Sequence, residues 1–91
     1  MEKEVLLAKK FIVRKLANME KYGGAYTALR NIIRGMPDIL IKSNRGQKAI
    51  QKAIKELIKE EILLTKPSTG EIHVSLNSKM KKEIENILNL I

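Results

Sequence analysis

From Arg45 to Glu60 the chain reads RGQKAIQKAIKELIKE, a set of residue types whose helical spacing suits one kind of chemistry, the neutralisation of a row of phosphates. At about 100° per residue, Ala49, Ile50, Ala53, Ile54, Leu57 and Ile58 gather on one side. Lys48, Lys52, Lys55 and Lys59 fall at i, i+4, i+7 and i+11, within about 30° of the opposite pole by the same rotation. Arg45 extends the stripe toward the N-terminus. Like charges at i,i+4 cost an isolated helix about 0.2–0.5 kcal/mol per pair, and Lys48/Lys52 and Lys55/Lys59 are two such pairs. A helix tuned only for its own stability would alternate signs there. The simplest partner that offsets the repulsion is polyanionic. The competing reading is a solvated face, in which Lys52 pairs with Glu56 at i,i+4 for little gain.

The elements that must position this stripe belong to a chain of 91 residues, a length that suits a single domain spanning 1–91. An apolar fraction of 44% supports a modest core, although so small a chain buries only about 60–70% of its unfolded surface. The net charge is +8, from 18 Lys+Arg against 10 Asp+Glu, and favours an anionic partner. The excess is uneven. Residues 23–60 carry eight basic residues against Asp38, Glu56 and Glu60, whereas residues 61–77 carry only Lys66 against Glu61 and Glu71.

Other chemistries lack their residues. There is no cysteine, which excludes disulfides, thiolate chemistry and Cys-based zinc sites. His73 is the only histidine and reads as an exposed structural residue rather than a metal ligand. No Gly-rich phosphate loop, paired carboxylate or nucleophile–base arrangement is present. The expectation is a non-enzyme without cofactor, metal or small-molecule ligand. No segment approaches the roughly 18 apolar residues of a membrane span, and the acidic start Met1-Glu2-Lys3-Glu4 does not read as a signal peptide. A cytoplasmic protein with no membrane partner is expected.

Residues 1–22 carry a helix pattern from Glu2 to about Lys21, with Val5, Ala8, Ile12, Leu16 and Met19 apolar, Glu2 and Glu4 suiting its positive end, and Gly23-Gly24 breaking it. A short helix follows from about Tyr26 to Arg34, and Gly35 is its expected stop. Met36–Ile41 suits either one helical turn with Pro37 at its first position or a short strand. Asn44 followed by Gln47 resembles a capping box for the charged helix. Ile62–Lys66 and Glu71–Leu76 read as strands around a turn at Pro67–Gly70, with Ile72, Val74 and Leu76 facing inward and Glu71, His73 and Ser75 outward. Asn77-Ser78 caps a last helix, Lys79 to Leu90, with Met80, Ile84, Ile87, Leu88 and Ile91 apolar. The class is mainly α with a small β-hairpin (α+β).

This order resembles the winged helix-turn-helix superfamily, in the style of small archaeal regulators. The resemblance covers about residues 25–77 and is carried by AIQKAIKELIKEEILLTKPSTGEIHVSLN, with Ile54, Leu57, Glu61, Ile62, Gly70, Val74 and Leu76 in the characteristic slots, and by Tyr26-Thr27-Ala28-Leu29. It implies a winged helix with an extra C-terminal helix, divided as 1–22, a helix-turn-helix at 25–60, a wing at 61–77 and a last helix at 78–91. It also implies a double-stranded-DNA-binding transcription regulator whose recognition helix, about 45–60, enters the major groove. Arg45, Gln47, Lys48 and Gln51 would approach bases, since Arg or Lys suits guanine and Gln suits adenine. Lys52, Lys55 and Lys59 would meet phosphates, joined by Thr27, Arg30 and Arg34, which surface solubility explains equally well. Lys66, Ser68 and Thr69 are the wing residues. Two departures stand out: Gly35–Asn44 is longer than the usual turn, and the wing tip Ser68-Thr69-Gly70 lacks an arginine.

The alternative is a winged helix used for protein–protein contact in a larger assembly. The apolar faces of the first and last helices offer a homodimer interface or pack on the chain's own core. Phe11, Tyr22 and Tyr26 are the only aromatics, too few for the stacking platform of a single-strand or RNA binder.

Overall fold

The apolar positions of α1 (Glu2–Asn18) make it the spine of the fold: Val5, Ala8, Ile12, Val13 and Leu16 are all buried. The computed structural model describes residues 2–89. α1 stops before the Lys21 expected of it, because Glu20 takes a left-handed φ of +56°. The Glu20 N–H then bonds the Ala17 carbonyl at 3.0 Å and the Lys21 N–H the Leu16 carbonyl at 2.9 Å, a Schellman cap. Gly23 lies beyond that end.

Thr27–Ala28 forms β1, followed by α2 (Leu29–Ile33). The expected helix from Tyr26 therefore begins three residues late, because Thr27 and Ala28 pair antiparallel with Val74 and His73. Of the two states open for Met36–Ile41, the helical turn is realised. It is α3 (Asp38–Ile41), with Pro37 in the preceding cap position. Then comes α4 (Asn44–Lys59). Its cap is Ser43 rather than Asn44: the Ser43 Oγ accepts the Gly46 N–H at 2.9 Å and donates to the Ile39 carbonyl at 3.1 Å. The Gln47 amide reaches past the cap to the Ile41 carbonyl at 3.1 Å, so no capping box forms.

α4 ends in a second Schellman cap. Glu61 has φ +62°, its N–H bonds the Ile58 carbonyl, and Ile62 N–H bonds the Leu57 carbonyl, both at 3.0 Å.

The hairpin comprises β2 (Leu63–Ser68) and β3 (Glu71–Leu76), and the sheet order is β1-β3-β2. The sheet thus has three strands rather than two. β2 runs through Pro67, which an edge strand tolerates, so the expected four-residue turn shrinks to Thr69-Gly70, with φ of +33° and +76°. Positive φ at both central residues is the geometry that matches strand twist in two-residue hairpins. In β3 the expected alternation fails at both ends. Ile72 near the tip is 54% exposed, while Ser75 is fully buried with a hydroxyl that has no hydrogen-bond partner. Ile72 lies beyond the reach of β1, which pairs only with His73 and Val74, whereas Ser75 lies between that pairing and the bridge from Tyr22 to Leu76. A 3-10 turn (Ser78–Met80), capped by the Asn77 carboxamide accepting from Lys79 N–H at 3.0 Å, leads into α5 (Lys81–Leu88). Leu90 and Ile91, assigned to that helix, lie outside the described residues.

Helices α1 and α2 pack on β3, and α4 packs on β2. Residues from α1, α2, α3, α4, β2, β3 and α5 share one contiguous core, including Ile12, Leu16, Ile32, Leu40, Leu57, Val74, Leu76 and Ile84. α1 packs along α4 and touches α5, and α3 also packs on α4. Gly46 makes that last contact. A Cβ there would run into the carbonyl oxygens of Ile39 and Leu40. The apolar faces of α1 and α5 therefore serve this core, although Leu6 and Leu7 of α1 stay exposed. The class is α+β, mainly helical with a small antiparallel sheet.

Candidate nucleic-acid interface

α4 holds its outer face because five residues on the other side are buried: Gly46, Ala49, Ile50, Ala53 and Leu57. Directly opposite that cluster, by helical rotation, lie Asn44, Lys48, Gln51, Lys55 and Lys59, and all five are exposed. Among the described residues no carboxylate comes within ion-pair distance of Lys48, Lys55 or Lys59.

The flank of α4 that leans on α1 is different. Arg45 Nε is 3.1 Å from Glu4 Oε2, and Lys52 Nζ is 3.8 Å from Glu2 Oε1. Lys9 of α1 reaches Glu56 Oε1 at 2.6 Å and Glu60 Oε1 at 3.8 Å. Lys52 and Glu56 are thus not partners, contrary to the i,i+4 expectation, because each has a counter-ion on the crossing helix. The hydrogen bond from Lys9 holds the Glu56 carboxyl below its ordinary range, against desolvation that pushes it up; the nearby Lys9, Lys52 and Lys59 charges add to the lowering. The Glu4 carboxyl is lowered too, chiefly by its own backbone N–H, with the Arg45 charge a lesser contributor.

Of the residues singled out in the sequence, Arg45, Lys48, Gln51, Lys52, Lys55 and Lys59 come together as exposed positions on α4. Gln47 is exposed beside them, with its amide engaged by Ile41. Thr27 does not join them: it is buried in β1, and its hydroxyl accepts from the Asn31 carboxamide at 3.3 Å. Arg30 is exposed on α2 and Arg34 at its C-cap. Arg34 Nη2 donates to Asn31 Oδ1 at 2.9 Å, and Arg30 Nη1 is 2.7 Å from Glu71 Oε1, joining α2 to the turn end of the hairpin. The other Glu71 oxygen is 3.6 Å from His73 Nε2. Lys66 is exposed on β2, with Nζ 5.6 Å from the Tyr26 ring centroid. Ser68 is half-buried and Thr69 exposed at the tip.

The residues missed in the sequence are Glu2, Glu4 and Lys9, which set the charge along the α1 side of the stripe. Their only advance signal was the acidic first turn of α1, which a helix dipole explains equally well. Among the described residues no three His, Cys, Asp or Glu side chains converge in a way that could hold a metal, and no helix is long and apolar enough to cross a membrane. No protein-family model, curated protein or solved structure matches the chain.

Proposed function

We propose that this chain is a double-stranded-DNA-binding protein of winged helix-turn-helix type, acting as a transcription regulator with α4 in the major groove and the β2–β3 hairpin as its wing. One observation carries the reading: Lys48, Lys55 and Lys59 run along a single exposed pole of α4 with no ion-pair partner among the described residues. By helical rise the row from Lys48 to Lys59 is about 17 Å long, a length over which a duplex presents several backbone phosphates, whose neutralisation releases counterions and drives association. Arg45 and Gln51 stand toward the N-terminal half of the same helix, where base edges come within reach. Lys48 shares that half, and Lys52, Lys55 and Lys59 are assigned to phosphates. Gln47 is reassigned to holding α3 on α4. Mobility shift of a random-sequence duplex at low salt tests the reading. Retarded DNA supports it, and free DNA at micromolar protein rejects it.

A second reading, a protein-interaction module or homodimer, is favoured by a shallow groove between α1 and α5 in which Leu6, Ile62 and Ile87 line up with Lys9, Glu60 and Glu83. It predicts a salt-insensitive partner or a dimer by analytical ultracentrifugation. A monodisperse monomer that binds duplex speaks against it.

A further inference from the structure

We infer that Glu4 is a positioning residue for base recognition, buttressing Arg45 as the reader of a guanine in a duplex; this rests on the DNA-binding reading above. Arg45 is the second residue of α4, at the end of a groove-bound helix that faces base edges. A free arginine there would be a mobile cation. This one is tethered at one nitrogen, with Nε 3.1 Å from Glu4 Oε2. The guanidinium is a rigid planar fork with five donors. A carboxylate on Nε leaves the edge formed by the two terminal nitrogens, which have no partner among the described residues. That edge is the one a guanine O6/N7 pair accepts.

The tether is itself anchored. The Glu4 side chain is 21% exposed against 66% for Arg45, and Val5 and Ala8, its neighbours along α1, are buried in the core. The contrast with the next pair is informative. Lys52 meets Glu2 at 3.8 Å, and the Glu2 side chain is 89% exposed. That contact joins a rotatable point charge to a loose carboxylate and orients nothing. Geometry therefore separates Arg45, which is pre-set for one base, from Lys52, which is suited to a phosphate.

The test is selection from a duplex library with a randomised centre, using wild type, Arg45→Ala, Arg45→Lys and Glu4→Gln, each first checked for an unaltered thermal unfolding transition. Wild type should enrich guanine at one position by about tenfold or more. Arg45→Ala and Arg45→Lys should both lose that preference, Arg45→Lys while keeping affinity for random duplex. Glu4→Gln should weaken the preference several-fold at that position alone. The inference is overturned if Glu4→Gln leaves the preference intact and only raises affinity uniformly, since the acidic turn would then merely compete with phosphates. It is also overturned if wild type binds duplex without enriching a base, or if the enriched guanine is indifferent to Arg45→Ala; both outcomes leave the DNA-binding reading standing. Absence of any duplex binding would remove that reading and this inference together.

Discussion

Lys9 Nζ lies 2.6 Å from Glu56 Oε1, and this contact between α1 and α4 draws the only carboxylate within α4 to the α1 side of the helix. What remains on the outer pole is uniformly basic or neutral. The helix crossing that buries Ala8, Ile12, Ala49 and Ala53 also sorts the charges of α4 by face.

The pair makes stability depend on pH. The folded Glu56 carboxyl titrates below its ordinary value of 4.5, so the unfolded chain binds that proton more readily. The stabilisation is therefore complete above the ordinary value and is lost as pH falls through the lower, folded one. Lys9→Met keeps the buried stem and removes the ammonium. The melting temperature of wild type should exceed that of Lys9→Met at pH 7, and the gap should narrow by about pH 3. A gap that is constant over this range would contradict the pairing.

Gly46→Ala should be severely destabilising, by about 2–4 kcal/mol in urea unfolding. Its Cβ would meet backbone carbonyls of α3, which cannot move aside as a flexible side chain can. A loss below about 1 kcal/mol would mean that α3 does not sit so tightly on α4.

Glu61→Gly should stabilise the protein by about 0.5–1 kcal/mol, seen as a raised denaturation midpoint. Glu61 holds the left-handed cap position with φ +62°, where a side chain is strained and glycine is not. It also puts an acid at the negative end of the α4 dipole. The Asn77 Nδ2 hydrogen bond to the Glu61 carbonyl, 2.9 Å, survives the change because it uses only backbone. A lowered midpoint would count against the cap.

What could be read in the sequence were the elements whose own periodicity decides their burial. The α1 residues Val5, Ala8, Ile12 and Leu16 and the α4 residues Ala49, Ile50, Ala53 and Leu57 are buried as their spacing requires. What could not be read depends on distant neighbours. Thr27-Ala28 is a strand only because β3 offers a free edge, and two residues carry no period. Gly23-Gly24 looked like the end of α1, yet Glu20 ends it, since the chain that follows is tied to β3: the Leu76 N–H bonds the Lys21 carbonyl and the Gly23 N–H the Leu76 carbonyl, both at 2.9 Å. Within the candidate site, the outer pole was legible as a row of lysines. Glu4 under Arg45 was not, because spacing along the chain gives no sign that residues some forty positions apart meet where two helices cross.

The most direct measurement is fluorescence anisotropy of a labelled random duplex from about 50 to 200 mM salt, comparing wild type with Lys48→Ala/Lys55→Ala/Lys59→Ala. Wild-type affinity should fall steeply with salt, and removing the phosphate contacts assigned to Lys55 and Lys59 should flatten the log–log slope by about 2. Equal affinity and slope in the two proteins would show that the outer pole of α4 is solvated surface, contradicting the account.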